Sequence, residues 1–255
     1  MGARVIFSAH GVAPSVRKEA VDRELKVIDA TCPLVTKVHL EAKKFARQNY
    51  TIVLIGHKDH DEVTGTLGEA PEATVLVSNV EDVNKLTVKD PERVSFITQT
   101  TLSLDETRDI VDQLKQRFPK IKGPVAQDIC YATENRQVAV KQVASEADLL
   151  LVVGSDNSSN SKRLVEVARN LSTSSHLIDS YRDIKPDWLD GVKTIALTAG
   201  ASAPEFLVEE VVKFLGSKGY GNVQEVEVMP ENVRFGLPPE IVEAIAAAPT
   251  PVAAE

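Results

Sequence analysis

Short, unbroken apolar runs recur along this chain, and between them apolar residues return every three or four positions. TIVLI (51–55), VSFIT (94–98), LLLVV (149–153) and TIALT (194–198) are the clearest runs, with TVLVS (74–78) and SHLID (175–179) between them. A strand covered on both faces needs no polar alternation, so runs of this kind predict parallel sheet, and the helical spacing between them supplies the crossovers. The pattern predicts helices near 14–25, 33–48, 103–118, 131–146 and 204–218, one helix after each of TIVLI and LLLVV, and short helices at VEDVNKL (80–86) and YRDI (181–184). SLDE at 103–106 is a capping box, followed by Ile110, Val111, Leu114 and Phe118 on one helix face.

The order of elements repeats. From Cys32, and again from Cys130, the chain runs helix, strand, helix, strand, short helix, strand, helix. Cys32 and Cys130 are 98 residues apart, as are Gly56 and Gly154; Asp82 and Asp183 are 101 apart, and Thr98 and Thr198 are 100 apart. The expected organisation is a second α/β unit over 33–128, a third over 129–228 and a remnant of a first over 1–32. That opening part, ARVIFSAHGV, one helix and KVIDA, is too small to bury a sheet alone and looks like the end of a unit whose beginning is absent. The Pro- and Ala-rich stretch 229–255 is expected to be a mostly disordered tail.

With 255 residues and 43% hydrophobic content, the chain has enough apolar material for a substantial core. A net charge of −8 without a basic cluster argues against nucleic acid as a partner. No apolar run has the ~18 residues of a membrane span. The opening MGARVI resembles neither a signal peptide nor a myristoylation site. Two cysteines make no disulfide framework, so a cytoplasmic, reducing setting is expected.

The chemistry-bearing residues follow the predicted strands, where open α/β sheets bind ligands. The loops are SAHG with His10, GHKDHDE with His57, His60 and Glu62, TQTT with Thr100, GSDNSSN with Ser158, Ser159 and Asn160, and TAGAS with Ser202. They offer hydroxyls, amides and imidazoles with few lysines and no arginine. Such donors at helix N-termini suit a small polyanion such as a diphosphate. Walker and GxGxxG patterns are absent, so nucleotide binding has no support. A rival reading takes His57, Asp59, His60 and Glu62 as metal ligands of a hydrolase, although HExxH is missing. Cys32 and Cys130 each stand at the start of an equivalent helix, a position that favours thiolate and hence metal ligation. An iron–sulfur cluster is usually held by three or four cysteines, which leaves these two short by at least one.

IFSAHGV, DATCPLVTKVH, GHKDHDEVTGT, TQTTLS, DICYATENRQ, VGSDNSSNSKRL and TAGASAP lie in one order between residues 6 and 204. In that set the chain resembles the IspH/LytB family, the 4-hydroxy-3-methylbut-2-enyl diphosphate reductases. The resemblance implies an α/β fold, a trefoil-like arrangement of repeated three-layer units with small parallel sheets, here with the first unit incomplete. It implies a 4Fe-4S cluster with Cys32 and Cys130 as two of three cysteine ligands, the third lying in an amino-terminal segment that this sequence lacks, together with a further substrate-binding histidine. It matches His10 and His60 to diphosphate-binding histidines, and Ser158, Ser159, Asn160 and Ser202 to the diphosphate cradle. Thr100 falls beside the substrate hydroxyl, and Glu62 delivers protons. The implied reaction is a two-electron reductive dehydroxylation of the allylic diphosphate to isopentenyl and dimethylallyl diphosphates in the non-mevalonate pathway, with ferredoxin or flavodoxin as electron donor. An inactive diphosphate-binding fragment is the alternative. Asp61 stands where the family usually has proline, which is expected to soften the loop around Glu62.

Overall fold

Apolar runs with no polar alternation become strands buried on both faces. In the computed structural model, which describes residues 2–231 and 233–247, the order is β1 (Arg4–Phe7), α1 (Pro14–Asp22), β2 (Lys26–Asp29), α2 (Pro33–Arg47), β3 (Thr51–Ile55), α3 (Asp61–Glu69), β4 (Thr74–Val77), α4 (Val80–Lys85) and β5 (Val94–Thr98). It continues with α5 (Leu104–Arg117), α6 (Tyr131–Ala144), β6 (Leu149–Val153), α7 (Ser159–Asn170), β7 (Ser174–Ile178), β8 (Ile195–Ala199), α8 (Glu205–Ser217) and α9 (Pro239–Ala247), with two 3-10 turns between β7 and β8. Every strand pair among the described residues is parallel. The sheets are small, in the orders β1-β2, β4-β3-β5 and β7-β6-β8. In each three-stranded sheet the first strand of the repeat is central and the other two flank it.

The chain divides into two compact units, one of Met1–Gln99, Asp109–Asp128 and Asn232–Glu255, the other of Thr100–Arg108 and Ile129–Glu231. In the first, Val38, Ala42 and Phe45 of α2 and Val63 of α3 pack on Ile52, Leu54 and Ile97 of the sheet. In the second, β6 shows how an unalternating run is used. Leu150 and Val152 face α6 and α7, packing with Val140, Leu164 and Ala168, while Leu149, Leu151 and Val153 face Val211 and Leu215 of α8. Five consecutive apolar residues thus serve two cores, because successive side chains of a strand point to opposite faces.

One local expectation changes. Residues 239–247 of the expected tail form α9, near β2, because EIVEAIAA has helical spacing and good helix formers behind Pro238 and Pro239. At α5, Ser103 Oγ accepts the Glu106 N–H at 3.4 Å, a long cap.

Candidate functional site

In the first unit the loops after β1 and β3 bring two histidines together. The rings of His10 and His60 lie 5.3 Å apart, edge to face at 80°. His60 is the N-cap of α3, and its Nδ1 accepts the Glu62 N–H at 3.2 Å. A backbone N–H can only donate, so Nδ1 carries no proton and the ring proton sits on Nε2, a donor suited to an anion. Burial, then the neighbouring His10 and His57, hold the His60 pKa below its ordinary value against the pull of Asp61. Glu62 occupies the first turn of α3 with 1% exposure. Asp61 is the first helical residue, where proline and an acidic side chain are both favourable; the helix therefore starts in place without proline.

His39 has no place in the sequence reading, yet it supports this loop from below. It is buried on α2, its Nδ1 2.9 Å from Glu69 Oε1, and Lys43 lies 2.8 Å from the other oxygen of Glu69. Gly11, with φ +75°, sits directly above it: a Cβ there would come within 3.0 Å of His39 Cε1. The loop that presents His10 thus needs glycine for both conformation and room. Gln99, 1% exposed, similarly accepts the His57 N–H at 3.0 Å. Among the described residues no three His, Cys, Asp or Glu side chains gather as a metal-binding group.

Both cysteines are helix N-caps with nearly the same backbone, φ −57° and ψ 134° at Cys32, φ −62° and ψ 135° at Cys130. Neither forms a disulfide, both are half-buried, and neither side chain is spent on capping. Each backbone N–H is tied to a loop that carries a predicted substrate residue: Cys32 to the Ala9 carbonyl at 3.0 Å, next to His10, and Cys130 to the Thr100 carbonyl at 2.9 Å. The segment leading to Cys130 is itself clamped, Lys37 Nζ reaching Asp128 Oδ1 at 2.8 Å and the Gln127 carbonyl at 3.1 Å. Burial nevertheless pushes the Asp128 carboxyl up.

In the second unit Thr100 is buried, and the loop behind it is read by Gln137 of α6, which donates to the Leu102 carbonyl at 2.8 Å and accepts the Leu104 N–H at 3.1 Å. The polar loop after β6 is a cradle. Ser158 is the N-cap of α7, its Oγ accepting the Ser161 N–H at 3.2 Å. Ser158 and Ser202 line one cavity of about 150 Å³, with Asp179 also in its lining. Ser159 is the first residue of α7, and Asn160 follows, 6% exposed, with neither amide atom hydrogen-bonded. Ser161, a further member of the cradle, was not marked by the sequence reading; its hydroxyl lies against Gly154 and Gly200, at the ends of β6 and β8.

Loops rich in hydrogen-bond donors follow the strands of these small parallel sheets, and an equivalent cysteine starts a helix in each repeat, an α/β arrangement of the ligand-binding kind. The chain belongs to the LytB family, whose model, described as LytB protein, matches residues 2–216. A 4-hydroxy-3-methylbut-2-enyl diphosphate reductase of Mycobacterium sp. (strain JLS) is 57% identical over 241 residues, 94% of this chain and 72% of that protein. The enzyme of that name from Leifsonia xyli subsp. xyli (strain CTCB07) is 53% identical over 246 residues, 96% of this chain and 73% of that protein. The solved structure of the E-1-hydroxy-2-methyl-but-2-enyl-4-diphosphate reductase from Plasmodium falciparum superposes with a TM-score of 0.92 at 41% identity, covering 96% of this chain and 78% of that one.

Proposed function

We propose that the chain catalyses the terminal step of the non-mevalonate pathway, reducing (E)-4-hydroxy-3-methylbut-2-enyl diphosphate to isopentenyl and dimethylallyl diphosphates. The observation that carries this reading is Asn160. A buried amide with no partner costs about 1–3 kcal/mol, and here it stands beside Ser158 at a helix N-terminus, in a loop that reads as an anion cradle. The names of the relatives supply the identity of the anion.

In this reading, carried from the family's motifs, the Ser158, Ser159, Asn160 and Ser202 side chains and the imidazoles of His10 and His60 bind the diphosphate. Thr100 orients the substrate hydroxyl. The allylic C–O bond breaks, two electrons and two protons are consumed, and the oxygen leaves as water, protonated by Glu62. The allylic unit takes its proton at either end, giving the two products.

The family implies a four-iron, four-sulfur cluster. Uncommitted thiols at equivalent helix N-caps fit it in kind, and Cys32 and Cys130 would hold it; the third thiolate the family uses is not among this sequence's two cysteines. When bound, the cluster supplies the electrons and an iron that acts as a Lewis acid toward the hydroxyl oxygen. A small electron carrier of the ferredoxin or flavodoxin type would feed it. No described helix is long and apolar enough to cross a membrane, and a cytoplasmic setting accords with the unpaired cysteines.

The test is anaerobic loading with iron and sulfide, turnover with a reduced viologen, and product analysis, for the chain and for Glu62→Gln. Both five-carbon diphosphates should form without release of inorganic phosphate. Glu62→Gln should bind substrate normally and turn over about 10²- to 10⁴-fold more slowly, the usual share of a general acid. Near-normal turnover in that variant would remove Glu62 from the mechanism, and phosphate release in place of reduction would return the hydrolase reading.

A further inference from the structure

We infer that Ser161 is a positioning residue: it takes up the acceptor capacity of the Ser158 hydroxyl, so that Ser158 can meet the bound anion only as a donor. The inference rests on the reading that a diphosphate occupies the cradle after β6.

A serine hydroxyl has one donor and two acceptor sites. Ser158 Oγ receives the Ser161 N–H at 3.2 Å, and the Ser161 hydroxyl stands 3.0 Å from it, placed to donate to it when the Ser158 proton goes to a ligand. With the Ser161 hydroxyl as the donor of that pair, both acceptor sites of Ser158 are used. Apart from the Ser161 hydroxyl, no described acceptor is paired with the Ser158 O–H, and Ser158 lines the cavity. Its remaining O–H is therefore turned toward whatever fills that space. An anion, which only accepts, fits this arrangement; a lone pair turned toward it would repel it.

The position of Ser161 explains two glycines that carry no chemistry of their own. Ser161 is 1% exposed, and its hydroxyl fills the space where strand ends would otherwise bear side chains. A Cβ at Gly154 would lie 2.2 Å from Ser161 Oγ, and one at Gly200 2.1 Å. Neither glycine has a positive φ, so the requirement is room rather than backbone freedom. Two strands thus leave a slot for one hydroxyl whose other visible partner is Ser158.

Titration calorimetry with inorganic diphosphate on the chain, Ser158→Ala, Ser161→Ala and the double variant tests this. Ser158→Ala should weaken binding about tenfold or more, the value of one hydrogen bond to a charged group. Ser161→Ala should weaken it about three- to tenfold, because the Ser158 proton is no longer held toward the ligand. In the Ser158→Ala background, Ser161→Ala should add less than about twofold, the coupling expected when one residue acts through the other. Merely structural damage would weaken both backgrounds alike, and that result, or unchanged affinity in Ser161→Ala, overturns the inference. If Ser161→Ala fails to fold by circular dichroism, Ser161→Cys, which keeps a weaker donor in the slot, takes its place in the same cycle. Failure of the parent chain to bind diphosphate would instead remove the cradle itself, and the inference with it.

Discussion

A histidine that caps a helix through Nδ1 cannot be protonated there and keep the cap. His60 is in that position, and burial together with His10 and His57 lowers its pKa from the usual ~6.5. Because the unfolded chain takes up the proton first as pH falls, the stabilisation is complete above about pH 6.5 and is lost as pH drops toward the lowered folded value. His60→Asn keeps a capping acceptor that does not titrate. Urea unfolding of both proteins should therefore show the variant gaining stability relative to the parent between about pH 7.5 and 5.5; a difference constant with pH would show that the ring is not linked to folding. At this scale the sequence exposed the residues that face the loops, His10, His60, Ser158 and Asn160, because short polar side chains after an apolar run stand out. It hid His39, Gln99, Gln137 and Ser161, whose partners are far away in sequence or buried inside the loop. His39 and Gln137 lie within the motifs that carry the resemblance, but nothing in their spacing says which backbone they hold.

Among the elements, strands were the most legible, since six apolar runs needed only their length and flanking turns to be placed. β6 shows the energetic consequence: both faces of one strand are core, and Leu151 is fully buried. Leu151→Ala should cost about 2–5 kcal/mol by denaturant unfolding, the usual range for a large-to-small change where the surroundings cannot collapse. A loss under about 1 kcal/mol would mean that the α8 side of the sheet relaxes into the space. Helix starts were legible where proline or a cap residue marked them. The Cys32 and Cys130 caps also show why the two halves of the repeat match in detail: each thiol-bearing residue is fixed by its own backbone N–H to the preceding loop. α9 was obscured by alanine and proline composition, which says little about order until a neighbouring surface is known.

At the scale of the whole molecule, the repeat in sequence becomes two three-stranded sheets of identical strand order. An acidic chain of net charge −8 that binds a diphosphate must do so through short-range donors rather than long-range attraction, and the cradle is made of such donors. Under the proposed function its recognition energy would lie in a few groups, with Asn160 chief among them because its amide is buried and unpaired in the free protein. Removing such a group relieves the free protein of a cost while depriving the ligand of a partner, so stability and binding should move in opposite directions. The decisive measurement is the melting temperature of the chain and of Asn160→Ala, with and without (E)-4-hydroxy-3-methylbut-2-enyl diphosphate. The prediction is that Asn160→Ala melts no lower than the parent when free, and that the rise produced by saturating substrate in the parent is largely lost in the variant. An undiminished substrate-induced rise in Asn160→Ala, or no rise in the parent, would contradict the assignment of this loop as the diphosphate site.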